Sequence, residues 1–377
     1  MIIQIVPNLP PVICGVGDYA ALVGAESAQV RPSLHSAFVA CGWRAEVQPE
    51  ETVGLRNITG ACDGAELWRA IEALVDERRC DADAPALVVQ YSGYGYDPSG
   101  APAWLADALE RRPRRFAAAK IVTMFHELYA SGPIWRRAFW WSTRQRHVTT
   151  RLARISDELM TNRLASARWL ERASGRPAAS VAHLPVVSNV GEPATIEPWA
   201  RREPVAVAFG AARFKRPFFQ GRGARQTVEL CRKLEIETIF SIGPHAAWDE
   251  AAFRRAGVRV IEMGYLSASD VSTKMSAARV ALVDYFPGYY AKSSVLAAAA
   301  ANGTPPIFPR PGQASDGLCF GENIWSLRSA QEAGETELPM RLAALSGSIR
   351  SWYDGHNLRR HADLVGELIV GRAPVAA

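Results

Sequence analysis

Residues 280–308 read VALVDYFPGYYAKSSVLAAAAANGTPPIF, and this stretch decides the fold class. The apolar run 280–284 suits a buried strand, 293–301 suits a helix that Ser293 caps and Asn302-Gly303 ends, and 306–308 returns to a short strand. A strand, a helix and a second strand in succession make a βα unit of a parallel sheet. The alanines imply a helix packed tightly against its neighbours.

The same alternation extends through the 377 residues in both directions. In the first half the pattern predicts strands at 2–6, 86–90, 119–125, 157–161 and 182–185, with helices at 65–77, 102–111, 134–152 and 164–172. The second half adds strands at 205–209, 238–242 and 258–262, and helices at 225–234, 250–255 and 269–276. Two helical patterns, 338–353 and 358–371, close the chain. Each half reads as its own doubly wound α/β sheet, and a Gly/Pro-rich polar stretch between them suits a linker. The expected division is a first domain at 1–188, a linker at 189–203, a second domain at 204–352 and a final helical segment at 353–377.

Composition narrows the class. With 48% hydrophobic and 21% charged residues the chain is that of a soluble globular protein, and no run is long and apolar enough to predict a transmembrane helix. The N-terminus has neither a basic leader nor a long apolar core, so a cytoplasmic location is expected. Six scattered cysteines form no C-x-x-C pair and lie near no histidine at ligand spacing, which predicts reduced thiols and no metal site. The net charge of +5 rests almost wholly on arginine and does not indicate nucleic acid.

Four stretches carry candidate chemistry. After the first strand, Gly15 and Gly17 allow close backbone approach, and the helix that follows, with Asp18 in its first turn, points N–H groups at an anion or a sugar hydroxyl. Gly15-x-Gly17-x-x-Ala20 also matches a dinucleotide fingerprint, but residues 7–14 intervene where that motif turns directly from strand to helix. A glycine loop that only starts a helix is the plainer alternative. His126 and Glu127 stand at the C-terminal end of an apolar strand, where ligands collect in open α/β sheets. Arg213 and Lys215, with Arg216, follow a strand of the second half and suit diphosphate clamping, a solvated basic loop being the alternative. Lys292 beside Ser293 and Ser294 places a cation at a positive helix end, a conflict that a bound anion would resolve.

Two further stretches were weighed. IWRRAFWWSTRQR, residues 134–146, suits either contact with an anionic membrane surface or aromatics packed in the core with solvated arginines. Asp81-Ala82-Asp83 spells the acidic motif of metal-dependent sugar transferases but precedes a strand instead of following one, and reads as a surface turn.

PPVICGVGDYA, TMFHELYASGPIW, DELMTN followed by SARWL, HLPVVSNVGEP, GYLSASDVSTKMSAARVALVDY and KSSVLAAAAANGTPPI occur in an order that resembles the GT-B glycosyltransferases of the retaining group 1 family. The resemblance spans nearly the whole chain. It implies two facing Rossmann-like domains, an acceptor-binding first and a nucleotide-sugar-binding second, with a C-terminal helix crossing back to the first. It further implies no cofactor and no obligatory metal, a nucleotide-diphosphate sugar as co-substrate and a carbohydrate or lipid-linked acceptor. Its catalytic residues would be His126, Glu127, Arg213, Lys215 and Lys292. Donor contacts would come from Gly15, Gly17 and Asp18, from Gly264, Tyr265 and Leu266 near the base, and from Ser293 and Ser294. The two glutamates common in the family fall on Tyr290 and Ala298, and its Gly-Arg pair on Gly210-Ala211. The implied function is sugar transfer, with retention, in assembly of a cell-surface polysaccharide or glycoconjugate, at the inner face of the membrane. A silent GT-B-like protein that binds a nucleotide or glycan is the alternative, and a nicotinamide oxidoreductase a weaker third.

Overall fold

Ile2–Val6 is apolar at every position except Gln4, and all five residues are buried, as a strand covered on both faces by helices requires. The computed structural model describes residues 1–12, 14–45, 54–77, 85–130 and 137–371, excepting the side chains of residues 137 and 138. Asp81-Ala82-Asp83 and residues 134–136 lie outside the described residues.

The first unit comprises β1 (Ile2–Val6), α1 (Gly15–Val30), β2 (Ser36–Ala40), β3 (Leu55–Asn57), α2 (Gly64–Glu77), β4 (Ala86–Tyr91), α3 (Gly93–Tyr96), α4 (Ala103–Glu110), β5 (Ile121–Phe125), α5 (Arg137–Ile155), β6 (Glu158–Thr161), α6 (Leu164–Ser174) and β7 (Ala182–His183). The second comprises β8 (Glu203–Phe209), α7 (Ala212–Phe219), α8 (Gly221–Lys233), β9 (Thr238–Ile242), α9 (Glu250–Arg255), β10 (Arg259–Gly264), α10 (Ala268–Ala277), β11 (Ala278–Leu282), α11 (Ser294–Ala301), β12 (Pro306–Phe308), β13 (Trp325–Ser326), α12 (Leu327–Glu332) and α13 (Glu337–Asp354). The last helix, α14 (Leu358–Val370), belongs to the first unit and packs on α1.

Both sheets are wholly parallel among the described strands, in the orders β3-β2-β1-β4-β5-β6-β7 and β10-β9-β8-β11-β12-β13. In each, the chain winds outward from a first strand and then reverses to the other side, so the switch points lie between β1 and β4 and between β8 and β11. Such a crevice outside the carboxyl ends of the strands is where open α/β sheets bind ligands. Each unit has its own apolar core: Ile3, Ile5, Val89, Ile121 and Leu170 in the first, Val207, Ile239, Val280, Leu296 and Ile307 in the second. Each such fully buried aliphatic contributes about 1.5–3 kcal/mol.

The structure revises several boundaries. The division falls between Leu184 and Pro185, and α13 runs through Asp354 within the second unit. Residues 189–203 are not a free linker: Val190 is part of an apolar core, Trp199 Nε1 donates to Arg279 O at 2.8 Å, and Arg202 is buried. Strands β2, β3 and β13 were not predicted, being short or interrupted by polar residues. Arg213 and Lys215, expected just after a strand, with a solvated basic loop as the alternative, lie on α7, a helix whose pattern is obscured by Pro217 within it.

Candidate active site

At the carboxyl edge of the first sheet, β1 runs out through residues 7–14 to the start of α1. Cys14 holds the N-cap position of α1 and makes no side-chain cap, so the first N–H groups there are not satisfied by it. Gly15 is exposed with no heavy atom within 4 Å of where a Cβ would stand, whereas a Cβ on Gly17 would run into the Asn8 carbonyl oxygen. The first glycine therefore leaves room for a ligand, and the second is required by the loop that folds over it. Asp18 is half-buried and desolvation holds its carboxyl above the ordinary range.

His126 follows β5 directly, and its backbone N–H donates to Tyr91 O at 2.9 Å. Its ring is 8% exposed, with Nε2 2.8 Å from Gln90 Oε1 and the ring of Tyr19 edge-on at 5.0 Å. Burial holds the Tyr19 phenol well above its usual value, and the protonated hydroxyl lies 2.8 Å from His361 Nδ1 on α14. Glu127 is exposed and accepts from Ser92 Oγ at 3.4 Å. After β6, Asn162 is buried, and its Oδ1 has no hydrogen-bond partner among the described residues.

In the second unit three neighbouring strands end on glycines with positive φ: Gly210 at 111°, Gly243 at 97° and Gly264 at 63°. Gly210 N donates to Ile242 O and Gly243 N to Gly264 O, so the exits are locked side by side. A Cβ on Gly243 would press on Gly210 O, while nothing lies within 4 Å of one on Gly264. Beyond Gly264, Tyr265 stands exposed and Leu266 packs partly into the core.

Lys215 is the cation this edge buries. It is 1% exposed, and its Nζ donates to Ser241 Oγ at 3.0 Å and to Ile242 O at 3.2 Å, at the end of β9. Desolvation lowers its pKa, opposed by the charge of Glu262. Arg213, two positions earlier, is exposed instead and lies over the rings of Phe214 and Phe286 at 4.7 and 5.8 Å. Phe214, Tyr285 and Phe286 pack on one another with centroids 5.2–5.5 Å apart, leaving Phe286 53% exposed. The half-buried Asp284 at the head of this loop has its pKa raised by desolvation.

The loop returns to α11 through Lys292, whose Nζ lies 5.9 Å from the Tyr289 ring. Ser293 is the N-cap and accepts from Leu296 N at 3.2 Å, and Ser294 opens the helix. Tyr290 and Ala298 are both buried in the apolar core, Tyr290 against Phe308 and Phe320. Among the described residues no three His, Cys, Asp or Glu side chains are grouped so as to hold a metal ion.

The predicted residues thus form two sets. Gly15, Gly17, Asp18, His126 and Glu127 gather at the carboxyl edge of the first sheet. Arg213, Lys215, Gly264, Tyr265, Leu266, Lys292, Ser293 and Ser294 gather at that of the second. Sequence reasoning missed Gln4, Gln90, Tyr19 and His361 behind His126, the three-ring cluster beside Arg213, and the glycine exits at Gly210 and Gly243. Gln4 and Gln90 did leave a signal, as single amides inside otherwise apolar strands.

No protein-family model matches the chain, and no curated protein matches it. Solved structures do. Sucrose-phosphate synthase from Thermosynechococcus elongatus superposes with a TM-score of 0.62 at 16% identity, covering 98% of each chain. HepE from Anabaena, solved in complex with UDP and glucose, gives 0.59 at 13% identity over 97% of this chain and 98% of its own. WaaG, a glycosyltransferase of lipopolysaccharide biosynthesis, gives 0.56 at 13% identity over 98% of this chain and all of its own, 100%. The likeness fixes the fold: this chain has the GT-B fold of these glycosyltransferases.

Proposed function

We propose that the protein is a glycosyltransferase that moves a sugar from a nucleotide-diphosphate donor to a hydroxyl of a carbohydrate or lipid-linked acceptor, in assembly of a cell-surface polysaccharide or glycoconjugate. The observation that carries this reading is the buried Lys215 ammonium at the strand ends of a Rossmann-like sheet, among strand exits that turn on glycines of positive φ. A parallel sheet gains nothing in stability from a desolvated cation there, whereas a diphosphate would pair with it. HepE, which shares the fold, was solved with UDP and with UDP-glucose.

In the transfer the acceptor oxygen bonds to the sugar's anomeric carbon as the bond from that carbon to the diphosphate oxygen breaks, negative charge gathers on the leaving group, and the acceptor's hydroxyl proton passes to that departing oxygen. Lys215, Arg213, Lys292 and the N-terminus of α11 supply the compensating positive charge, and loss of one such donor costs on the order of 100-fold in rate. Gly15 and the start of α1 approach the diphosphate or sugar, with Asp18 beside them. His126 and Glu127 meet sugar hydroxyls, and Gly264, Tyr265 and Leu266 border the base. We assign retention of configuration, no cofactor and no metal requirement, tested by the product's anomeric form and by activity in excess EDTA.

The membrane reading rests on α5. Phe139, Trp140 and Trp141 are all exposed, Trp140 at 73%, and Arg144 beside them is exposed, so the alternative of core-packed aromatics does not hold for these three. No helix of the described residues is long and apolar enough to cross a membrane. This face suits peripheral contact with anionic lipid.

Thermal shift against UDP, GDP, dTDP, ADP, CMP and NAD tests the donor class. A ligand at about 100 times its Kd adds roughly 2.7 kcal/mol, and a selective shift with one nucleoside diphosphate is expected. No shift with any of them overturns the reading. The burial of Tyr290 and Ala298 favours one alternative, a binding protein without turnover, for which nucleotide affinity without sugar release is the signature.

A further inference from the structure

A single file of hydrogen bonds crosses the switch point of the first sheet, and one backbone atom sets its direction. Gln4 Nε2 lies 3.2 Å from Ala20 O. A carbonyl oxygen only accepts, so this end of the Gln4 carboxamide is its NH2. Its Oε1 then faces the neighbouring strand, where Gln90 Nε2 donates to it at 2.8 Å. Held that way round, Gln90 presents Oε1 to His126 Nε2, 2.8 Å away, and this oxygen also only accepts. The hydrogen in that contact belongs to the imidazole.

We infer that Gln4 and Gln90 are positioning residues that hold His126 as its Nε2–H tautomer, so that Nδ1 is the nitrogen that accepts a hydrogen bond or takes up a proton. The inference deepens the transferase reading, on which the sugar-facing role of His126 rests. It commits the neutral ring to accepting from a substrate hydroxyl through Nδ1, not to donating from it.

The surroundings are built for this file. Gln4 and Gln90 are 3% and 1% exposed, on β1 and β4, the two strands that flank the switch point. Ser36 Oγ accepts a second hydrogen bond from Gln4 Nε2 at 3.1 Å. On α1, a Cβ at Gly24 would stand 2.9 Å from Gln4 Nε2, so a glycine there leaves room for the amide. Tyr19 lies edge-on over the imidazole. Apolar side chains in place of the two amides would leave the buried His126 Nε2–H without its acceptor, so the amides fix the ring's hydrogen bonding as well as fill the space.

The test is 15N–1H long-range correlation spectroscopy on protein labelled at histidine, with the His126 ring assigned by its absence in His126→Gln. The expected wild-type spectrum shows a protonated Nε2 and an unprotonated Nδ1 for the neutral ring. An Nδ1–H ring, or a mixture of tautomers, overturns the inference with no variant needed. In Gln4→Leu, whose folding is checked by thermal melt, Gln90 loses its anchor and can turn over. A mixture of tautomers is expected there, with kcat/KM for transfer reduced on the order of tenfold and affinity for the free nucleoside diphosphate unchanged. A folded Gln4→Leu that keeps the pure Nε2–H form also overturns it. Nucleotide binding is measured separately: the expected tautomer without nucleotide binding defeats the transferase reading and leaves the relay standing, and the wrong tautomer with nucleotide binding does the reverse.

Discussion

The charge of Lys215 is costly where it lies, and under the proposed function a bound diphosphate offsets that cost. Lys215→Met is expected to leave the melting temperature unchanged or higher, because a desolvated ammonium is removed, and to weaken nucleoside diphosphate binding on the order of 10- to 100-fold by calorimetry. The pH dependence follows from its lowered pKa. Between that value and the ordinary lysine range the unfolded chain binds more protons than the native one, so stability rises with pH in this window. Nucleotide affinity falls in the same window as the ammonium is lost, and both slopes are expected to vanish in Lys215→Met. Gly15 and Gly17 part in the same manner. Gly17→Ala drives a methyl into the Asn8 carbonyl and is expected to cost about 1–3 kcal/mol in urea unfolding. Gly15→Ala meets nothing and is expected to fold as wild type while binding the nucleotide sugar less tightly; equal affinity would place the ligand elsewhere. The sequence shows Gly15 with Gly17 and Arg213 with Lys215 without separating either pair. Close approach to a ligand and to the chain's own backbone call for the same residue, and residues two apart on a helix face different ways, so Lys215 turns inward and Arg213 outward.

At the scale of elements, α11 is held by its ends. Leu296 to Ala301 are buried, and so apolar a helix packs on all sides without polar anchors of its own. Ser293 caps the start, and cations satisfy the negative end. Arg202 donates to Asn302 O at 2.9 Å, to Thr304 Oγ1 at 3.0 Å and to Ala278 O at 3.1 Å, and Arg350 donates to Ala301 O. Desolvation lowers the Arg202 pKa to about 10. Arg202→Ala leaves these buried acceptors without their donor and is expected to cost about 2–4 kcal/mol in urea unfolding, with Arg202→Lys recovering part. Residues 280–308 announced this element because buried parallel strands are continuous apolar runs and a Ser start with an Asn-Gly stop is local chemistry. Other elements gave no such sign. Leu55–Asn57 and Trp325–Ser326 are too short for a period, Pro217 masks α7, and the role of Arg202 depends on carbonyls that only the folded chain brings to it. On α5, exposure shows that Phe139, Trp140 and Trp141 are not core-packed, a point that spacing left open. Trp140→Ser combined with Arg144→Glu is expected to abolish co-sedimentation with vesicles containing phosphatidylglycerol, without changing the melting temperature. Retention on the vesicles would remove the membrane reading of this helix.

For the whole molecule, the same winding order occurs in two sheets, each around a core of its own, and the chain ends in the first unit and not in the second. The last helix is therefore long-range structure for the unit that contains the N-terminus. Its attachment has a polar point in the buried pair of Tyr19 and His361, and a close contact where Gly366 leaves room for Leu34 and the Arg31 guanidinium. Sequence placed the helix but not that pair, because partners so far apart in sequence share no local pattern. His361→Phe fills similar space and leaves the Tyr19 hydroxyl buried without its ring-nitrogen partner, at a cost of about 1–3 kcal/mol. If each unit opens on its own, native-state hydrogen exchange should quicken in α1, α14 and the strands beside them, while β8 to β13 keep wild-type protection. Equal loss in both sheets would instead mean that the two cores unfold as one cooperative body. Because Tyr19 also covers the His126 ring, the same variant should shift the His126 ring resonances while leaving Lys215 and the carboxyl edge of the second sheet undisturbed.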